Sequence, residues 1–366
     1  MRNKSALDEW LMFDSAGFQP LAAIANQRNA EVRAGLDQLG SYLDNPAPPK
    51  RFNLMNIRLP GRWNGTLAKE DLPRAQLLYQ RVFETGGNGS TYTQEALLYL
   101  IAQVADAETI PFWLGLLDIS RMRDTFANKR RDLACSALGL LMFHNNKIAE
   151  DALWQSVDHV IPEVCTSAMY TLGMVVLRKK RQPTKAVIKR LADNAVQNRS
   201  GLVRYLARTT LRQLDLPVPL DNPGGVYALK VTFKGDKQLF RTIELRSEQT
   251  IDELLSAFLH ALDWDTDHLH AFYMNGAVRD PRFEINSIEG DSNPPYSFES
   301  VIGELGLSLK HRIGCNYDFG DNHWFAIEVV AIRPRDEAGS IGQYPRIIDS
   351  RGKAPKQYWH GEDEEE

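Results

Sequence analysis

Apolar side chains recur at two different spacings along this chain, and the change from one spacing to the other divides it. Across residues 66–215 they follow the three- and four-residue spacing of buried helix faces, in one segment after another. Beyond residue 226 they alternate with polar side chains, as in strands that bury one face. The pattern predicts a multidomain protein of α and α+β type, with the helical part first.

The helical part also carries an internal repeat. Its clearest helical segments are Thr93–Ala105, Thr109–Leu117, Arg130–Phe143, Ala149–Val160, Pro162–Leu177, Thr184–Val196 and Gly201–Leu214. Small residues recur at Ala96, Ala137, Ala168 and Ala207, at steps of 41, 31 and 39 residues. These steps bracket the length of a two-helix repeat, in which a small residue lets neighbouring helix pairs stack closely. Residues 66–215 therefore resemble a HEAT- or armadillo-like α-solenoid, with an irregular helical bundle as the alternative.

Prolines and glycines mark the boundaries of the helical part. Residues 5–45 read as an irregular helix, and a proline- and arginine-rich connection follows up to about Gly65. Asp215–Gly225 holds three prolines and two glycines, which makes it the predicted domain boundary. The predicted division is 1–65, 66–215, a linker at 216–225, an α+β domain at 226–361 and an acidic, solvated tail at 362–366.

The second part opens with a predicted hairpin. Val226–Phe233 and Gln238–Leu245 alternate as strands around a short turn. Thr250–Leu262 is a predicted helix, because Thr250 and Glu253 can form a capping box at its start. The further predicted elements are strands at His270–Met274, Arg312–Asp318 and His323–Ile332 and a short helix at Phe298–Leu305. This order predicts a mostly antiparallel sheet with one main helix packed on a face.

Composition and charge narrow the class of protein. The hydrophobic fraction of 43% and charged fraction of 25% are those of a soluble globular chain, and no apolar run is long enough to span a bilayer. Three cysteines, odd in number and far apart, fit a reducing compartment and argue against a disulfide framework. The N-terminus has no apolar segment of a secretory signal. We therefore expect a cytoplasmic protein without a membrane partner.

Five motifs follow one another between Tyr227 and about Gly361. They are Y-x-L-K-V-x-F…F-R-x-I-E-L, T-I-D-E-L, D-W-D-x-x-H-L-H-x-F, Y-D-F-G-D-x-x-x-x-x-I-E-V and Y-P-R-x-x-x-x-x-G-x-x-P. In this order the segment resembles the plasmid pRiA4b ORF-3-like family, which is also met as a passenger protein of bacterial insertion sequences. The resemblance implies an α+β fold and a bacterial setting linked to plasmids and mobile elements. It implies no known activity.

Two positions depart from the pattern of that family. Phe240 stands in the hairpin where the family usually has Trp, a mild change within an apolar position. Lys353–Tyr358 lacks the Cys-rich, acidic character that is frequent near the end of the family's domain. The second departure puts in doubt a metal or thiol role for this end of the domain.

Two short segments concentrate His, Asp and Trp side chains and form the candidate functional cluster. Its members are Asp263, Trp264, Asp267, His268, His270, Asp318, Asp321, His323 and Trp324, with Asp265 as a further carboxylate. Imidazole and carboxylate groups suit a divalent metal ion, for which His268, His270 and His323 are the predicted ligands. The alternative is structural, because Asp favours turns and Trp packs in cores. No kinase, P-loop or nucleophile-elbow motif is present, so catalytic residues stay unassigned.

Basic residues gather at two places in the helical part. The first cluster is Arg121, Arg123, Lys129, Arg130 and Arg131, and the second is Arg178, Lys179, Lys180 and Arg181 with Lys185, Lys189 and Arg190. At the turns of a solenoid both clusters could contact nucleic-acid phosphates. Basic residues at helix C-termini also complement the helix dipole, which is the alternative.

The sequence favours a binding or scaffolding protein over an enzyme. A helical-repeat surface would present itself to a protein partner, fused to the ORF-3-like domain. One alternative is a metal-dependent hydrolase or nuclease-like enzyme that uses the candidate functional cluster. Another is a nucleic-acid-binding protein of a mobile element.

Overall fold

The computed structural model describes residues 22–44, 66–87, 89–119, 124–179, 183–276, 280–287, 295–335 and 343–358. The chain forms two compact units that divide between Arg181 and Gln182. No helix within the described ranges is long and apolar enough to cross a membrane. The predicted connection at 46–65, the start of the helix predicted at 5–45 and the acidic tail lie outside the described residues.

The first unit is helical throughout its described length. Its helices are α1 (Ala22–Leu43), α2 (Leu72–Thr85), α3 (Ser90–Gln103), α4 (Ile110–Leu117), α5 (Ala127–Phe143), α6 (Lys147–Ser156) and α7 (Pro162–Lys179). The helices predicted in this unit are confirmed within a few residues at their ends. Local chemistry sets some of those ends: the Asn146 side chain caps α6 by accepting from the Ala149 N–H at 3.0 Å.

The helices from α2 to α7 form three successive pairs, α2/α3, α4/α5 and α6/α7, and neighbouring pairs contact each other mainly through the second helix of each pair. Helix α5 contacts α6 and α7 along its length and also packs against α3 and α4. Ala137 on α5 and Ala168 on α7 are fully buried, whereas Ala96 on α3 is half-buried. The absence of a longer side chain at Ala137 and Ala168 lets each helix pack closely against its neighbours.

Two arginines of the first basic cluster are internal. Arg130 is only 1% exposed, where its Nε donates to the Tyr79 hydroxyl at 2.8 Å and its Nη1 pairs with Asp124 at 2.8 Å. Arg131 donates through Nε to the carbonyl of Leu117 at 3.2 Å. The prediction that Arg130 and Arg131 face phosphates is therefore wrong, because buried guanidinium groups need internal acceptors and these have them. Arg121 and Arg123 lie outside the described residues.

In its described part the second unit joins three helices to a seven-stranded sheet. Its helices are α8 (Lys185–Gln197), α9 (Gly201–Gln213) and α10 (Ile251–His260), and its strands are β1 (Val226–Phe233), β2 (Phe240–Arg246), β3 (His270–Tyr273), β4 (Glu284–Asn286), β5 (Arg312–Tyr317), β6 (His323–Arg333) and β7 (Arg346–Arg351). The strand order is β4-β3-β5-β6-β1-β2-β7, and every pairing is antiparallel. The predicted α+β layout with an antiparallel sheet and one main helix is confirmed.

Helix α10 covers one face of this sheet. The predicted capping box is present: the Thr250 N–H donates to the Glu253 carboxylate at 2.7 Å, and the Glu253 N–H donates back to the Thr250 hydroxyl. Phe258 then packs edge-on against Phe325 of β6, with ring centroids 5.0 Å apart. The aliphatic residues of β1 and β2 that face the helix, Leu229 and Ile243 among them, are fully buried.

Three elements differ from the prediction. Phe298–Leu305 forms two 3₁₀ turns in place of one helix, because Val301 forms a bridge with Thr250 between them. Strands β4 and β7 were not predicted. All six residues of β7 are exposed. Its sequence Arg-Ile-Ile-Asp-Ser-Arg therefore lacks the alternation of apolar and polar residues by which the other strands were predicted.

A buried arginine ties α9 to the sheet side of the second unit. The Arg208 guanidinium is fully buried and donates to the carbonyl of Ala195 at 2.8 Å, the carbonyl of Gly303 at 2.9 Å and the carboxylate of Asp221 at 2.8 Å. Helices α8 and α9 were predicted to end the helical region before a boundary at 216–225. In the structure they belong to the unit of the sheet, and the chain divides between Arg181 and Gln182.

We expect Arg208→Ala to lower the free energy of unfolding by about 3 kcal/mol, because it removes the guanidinium donor from two carbonyl groups and breaks an ion pair with Asp221. Urea unfolding followed by circular dichroism measures the change. Arg199→Ala removes an exposed arginine from the turn between α8 and α9 and should cost less than about 0.5 kcal/mol. Equal stability of the two variants would contradict the role assigned to Arg208.

Candidate functional site

The two segments of the candidate functional cluster meet at one end of the sheet. His270 of β3 lies opposite Tyr317 of β5, and Tyr317 lies opposite His323 of β6. Directly opposed residues of antiparallel strands share a face, so these three side chains form a row on the face that α10 covers. His268 precedes β3 and its ring packs edge-on against Tyr317, with centroids 5.9 Å apart. The three histidines thus surround a single tyrosine.

His270 forms a closed triangle with two residues that the sequence did not single out. Its Nε2 lies 3.0 Å from Asp252 Oδ1 and 3.1 Å from Ser297 Oγ, and the Ser297 hydroxyl donates to Asp252 at 2.9 Å. A Ser-His-Asp relay needs the carboxylate and the hydroxyl on opposite ring nitrogens. Here both lie at Nε2, so the triangle fastens the start of α10 to β3 and to the 3₁₀ turn at Ser297.

His268 lies between a carboxylate and a phenol. Its Nδ1 is 3.6 Å from Asp318 Oδ2, and its Nε2 is 2.6 Å from the Tyr358 hydroxyl. The Tyr317 hydroxyl donates to the backbone carbonyl of Asp265 beside them. Burial raises the pKa of Tyr317 to about 12, which keeps that hydroxyl protonated. Tyr317 and Tyr358 were not predicted as site residues, although Tyr317 opens one of the sequence motifs.

Turn chemistry accounts for two of the aspartates. Asp318 has a positive φ of 53°, and its Oδ1 accepts from the N–H of Gly320 at 3.0 Å and the N–H of Asp321 at 3.4 Å. Asp263 lies in the turn that follows α10 and has a φ of 59°. Asp321 and Asp267 are exposed, and Asp267 Oδ1 lies 3.4 Å from His268 Nε2. The aspartates therefore serve the turns first and leave an acidic surface beside His268.

The two tryptophans pack in different ways. Trp264 is buried, donates through Nε1 to the carbonyl of Pro355 at 2.9 Å, and lies against the His323 ring with centroids 4.7 Å apart. Trp324 points to the opposite face of the sheet, where it stacks on Tyr273 at 5.6 Å. The Nε2 atom of His323 is buried and has no hydrogen-bond partner. Trp264 and Trp324 are thus packing residues on two separate faces.

The described residues hold no group of three or more His, Cys, Asp or Glu side chains placed to bind a metal ion. His268, His270 and His323, the predicted ligands, each turn to a different neighbour. Of the second basic cluster, Lys179 donates to Asn145 Oδ1 at 2.7 Å and lies over the Phe143 ring at 5.0 Å. Lys180 and Arg181 lie outside the described residues, and Arg178 is in the last turn of α7.

Comparison with known proteins identifies the second part of the chain by similarity. Residues 225–363 match a family model described as plasmid pRiA4b ORF-3-like protein, which confirms the resemblance inferred from the motifs. The match does not include the helices before residue 225. A crystal structure of a protein of unknown function from Methanosarcina mazei Go1 is 27% identical over 36% of this chain and 71% of that chain, with a TM-score of 0.30. No curated protein matches the chain.

Asp252→Asn tests what the carboxylate contributes to the triangle with His270. Hydrogen bonding from His270 and Ser297 lowers the pKa of Asp252, against the opposing effect of burial. A lowered folded-state pKa stabilises the protein above the unfolded-state pKa of about 3.9, and this contribution is lost as the pH falls through the folded-state pKa.

We therefore expect Asp252→Asn to cost about 1 kcal/mol at pH 6, a value discounted because a third of the side chain is exposed. The cost should shrink as the pH falls towards 2. Urea unfolding of both proteins at several pH values below 6 measures it. A difference that stayed constant down to pH 2 would contradict the assignment.

Proposed function

We propose that this protein binds a protein partner through its first unit and acts as a scaffold. One observation carries the proposal: the first helix of each successive pair exposes one large apolar side chain. These are Leu77 on α2, Leu114 on α4 and Ile148 on α6, which are 60%, 36% and 67% exposed. They recur at steps of 37 and 34 residues. A series of exposed apolar side chains at repeat spacing suits a partner that contributes apolar side chains of its own.

The packing of the helix pairs supports a repeat architecture of the HEAT type. Helices of the same rank in successive pairs contact each other, since α5 packs against α3 and α7, and α4 packs against α6. Nearest-neighbour stacking of this kind defines a solenoid. The second helix of each pair supplies most of the core. We infer a short HEAT- or armadillo-like solenoid from this arrangement.

The setting of this function comes from the resemblance of residues 225–363 alone. The resemblance supports a bacterial setting for the scaffold, with a link to plasmids and insertion sequences. A metal-dependent hydrolase or nuclease and a nucleic-acid-binding protein are the alternatives. The described residues hold no metal-binding group that would support the enzyme. Arg130 and Arg131 of the first basic cluster are buried, so they do not support nucleic-acid binding.

The combined variant Leu77→Glu, Leu114→Glu and Ile148→Glu tests the proposal in the full chain. We expect it to weaken binding of the partner at least about tenfold, because each carboxylate must be dehydrated against an apolar surface. The partner is first identified by crosslinking and mass spectrometry and then titrated as a purified protein by calorimetry.

The matched control carries the same charge at three exposed apolar residues of the second unit, namely Leu309→Glu, Val330→Glu and Ile348→Glu. Equal binding of the two triple variants would refute the assigned surface. Binding to DNA or RNA that falls steeply with salt would favour the nucleic-acid alternative. Stoichiometric metal that is lost in the His268→Ala, His270→Ala double variant would favour the enzyme.

A further inference from the structure

After β7 the chain crosses the end of the sheet. Gly352 makes this crossing at a φ of 82°, where an added Cβ would lie 2.8 Å from the Cα of Leu239. Residues 353–358, which we name the C-terminal strap, then run to the loop between α10 and β3. Ala354 packs against the core on the way. The course of the strap is therefore set by a glycine at one end and by side-chain contacts along the rest.

Three hydrogen bonds join the strap to the loop between α10 and β3. Trp264 Nε1 donates to the carbonyl of Pro355 at 2.9 Å, and the Asp265 N–H donates to Gln357 Oε1 at 2.7 Å. At its tip the Tyr358 hydroxyl lies 2.6 Å from His268 Nε2, and Gln357 Nε2 donates to the same hydroxyl at 2.6 Å. The strap thus holds one phenol against one imidazole.

The imidazole is also aligned from its other side. Asp318 Oδ2 lies 3.6 Å from His268 Nδ1, and Asp318 is itself fixed by the backbone of its turn. A carboxylate at one ring nitrogen and a hydroxyl at the other is the arrangement in which histidine receives a proton from a hydroxyl group. At His268 the hydroxyl is supplied by Tyr358 of the same chain.

We propose that the C-terminal strap is a removable cover, and that the Tyr358 hydroxyl takes the place of a ligand hydroxyl on the Asp318–His268 pair. When the strap lifts, His268 Nε2 is open to a ligand from solution. The inference concerns the second unit alone and stands apart from the helical surface of the first.

The strap is attached in a way that allows it to lift without disturbing the sheet. Within the described residues no backbone–backbone hydrogen bond joins 353–358 to the rest of the unit, in contrast to the ladder between β2 and β7. The Trp264, Gln357 and Tyr358 side chains make the hydrogen bonds that hold it in the described structure. Segments with few backbone bonds open at a small fraction of the global unfolding free energy.

Charge restricts the class of ligand. The carboxylates of Asp265, Asp267, Asp318 and Asp321 act on the Tyr358 hydroxyl, and with partial burial as the larger cause they raise the pKa of Tyr358. The same carboxylates repel an anion that takes its place. The site therefore fits a neutral or cationic hydroxyl compound, such as an amino alcohol or a polyol, and disfavours a phosphate or a carboxylate.

The rate at which diethyl pyrocarbonate modifies His268 in the full-length protein tests the cover. Site-resolved mass spectrometry should show modification about tenfold faster in Tyr358→Ala, since losing one hydrogen bond shifts an open–closed equilibrium by about that factor. Gln357→Ala keeps the phenol but loosens the strap, so it should give a smaller rise. The buried His270 is the internal reference, and Tyr344→Ala is the matched control with no expected change at His268.

The proposal that the strap covers His268 would be refuted if both strap variants, with unchanged circular dichroism, were modified at His268 at a rate within twofold of that of the wild-type protein. The ligand class is read from the NMR signals of the His268 ring in Tyr358→Ala. Ethanolamine and glycerol should shift them, and inorganic phosphate should not. A shift with phosphate alone, or with none of the three probes, would overturn the proposed class. If the probes shifted the His268 signals equally in the wild-type protein, the proposal that Tyr358 covers His268 would be refuted.

Discussion

A guanidinium group is costly to remove from water, and it is tolerated in a core only when acceptors surround it. Arg208 meets this condition by reaching α8, the loop before β1 and the turn at Gly303 at once. Its neighbours on α9 follow the same course: Arg204 donates to the carbonyl of Gly306, and Tyr205 packs near Phe283. The rest of the second unit depends on these contacts, because they make helices α8 and α9 fold with the sheet.

Much of the second unit follows from local sequence. Alternation of apolar and polar residues predicts β1, β2 and β6, and the Thr250–Glu253 box predicts the start of α10. Arg208 is different, because a single arginine on an amphipathic helix has the pattern of an exposed residue. Only the three carbonyl and carboxylate acceptors around it explain its burial. Ala195 and Asp221 lie 13 residues away on either side, and Gly303 lies 95 residues away. The proline-rich stretch before β1 therefore reads as a boundary between domains, although it joins two elements of one unit.

The candidate site divides in the same way. The motifs predict that His270, Asp318 and His323 belong to a functional site. The antiparallel pairing of β3, β5 and β6 brings their segments together around Tyr317. Asp252, Ser297 and Tyr358 could not be predicted, since each joins the site from an element that no local spacing relates to it. In the helical unit, too, only part of the structure could be predicted. Its repeat spacing is visible in the sequence, whereas the burial of Arg130 depends on partners from three other segments.

Within the described residues strand β7 is the edge strand of the sheet, and its composition bears on how the protein behaves at high concentration. An edge strand offers unpaired backbone groups to any other chain that can extend alongside it. In β7 the two exposed isoleucines lie between Arg346 and Arg351, with Asp349 beside them. A foreign strand would have to strip water from these three charges before it gained the backbone hydrogen bonds. The edge is thus guarded against fibrillar self-association by the charged residues that give β7 its irregular pattern.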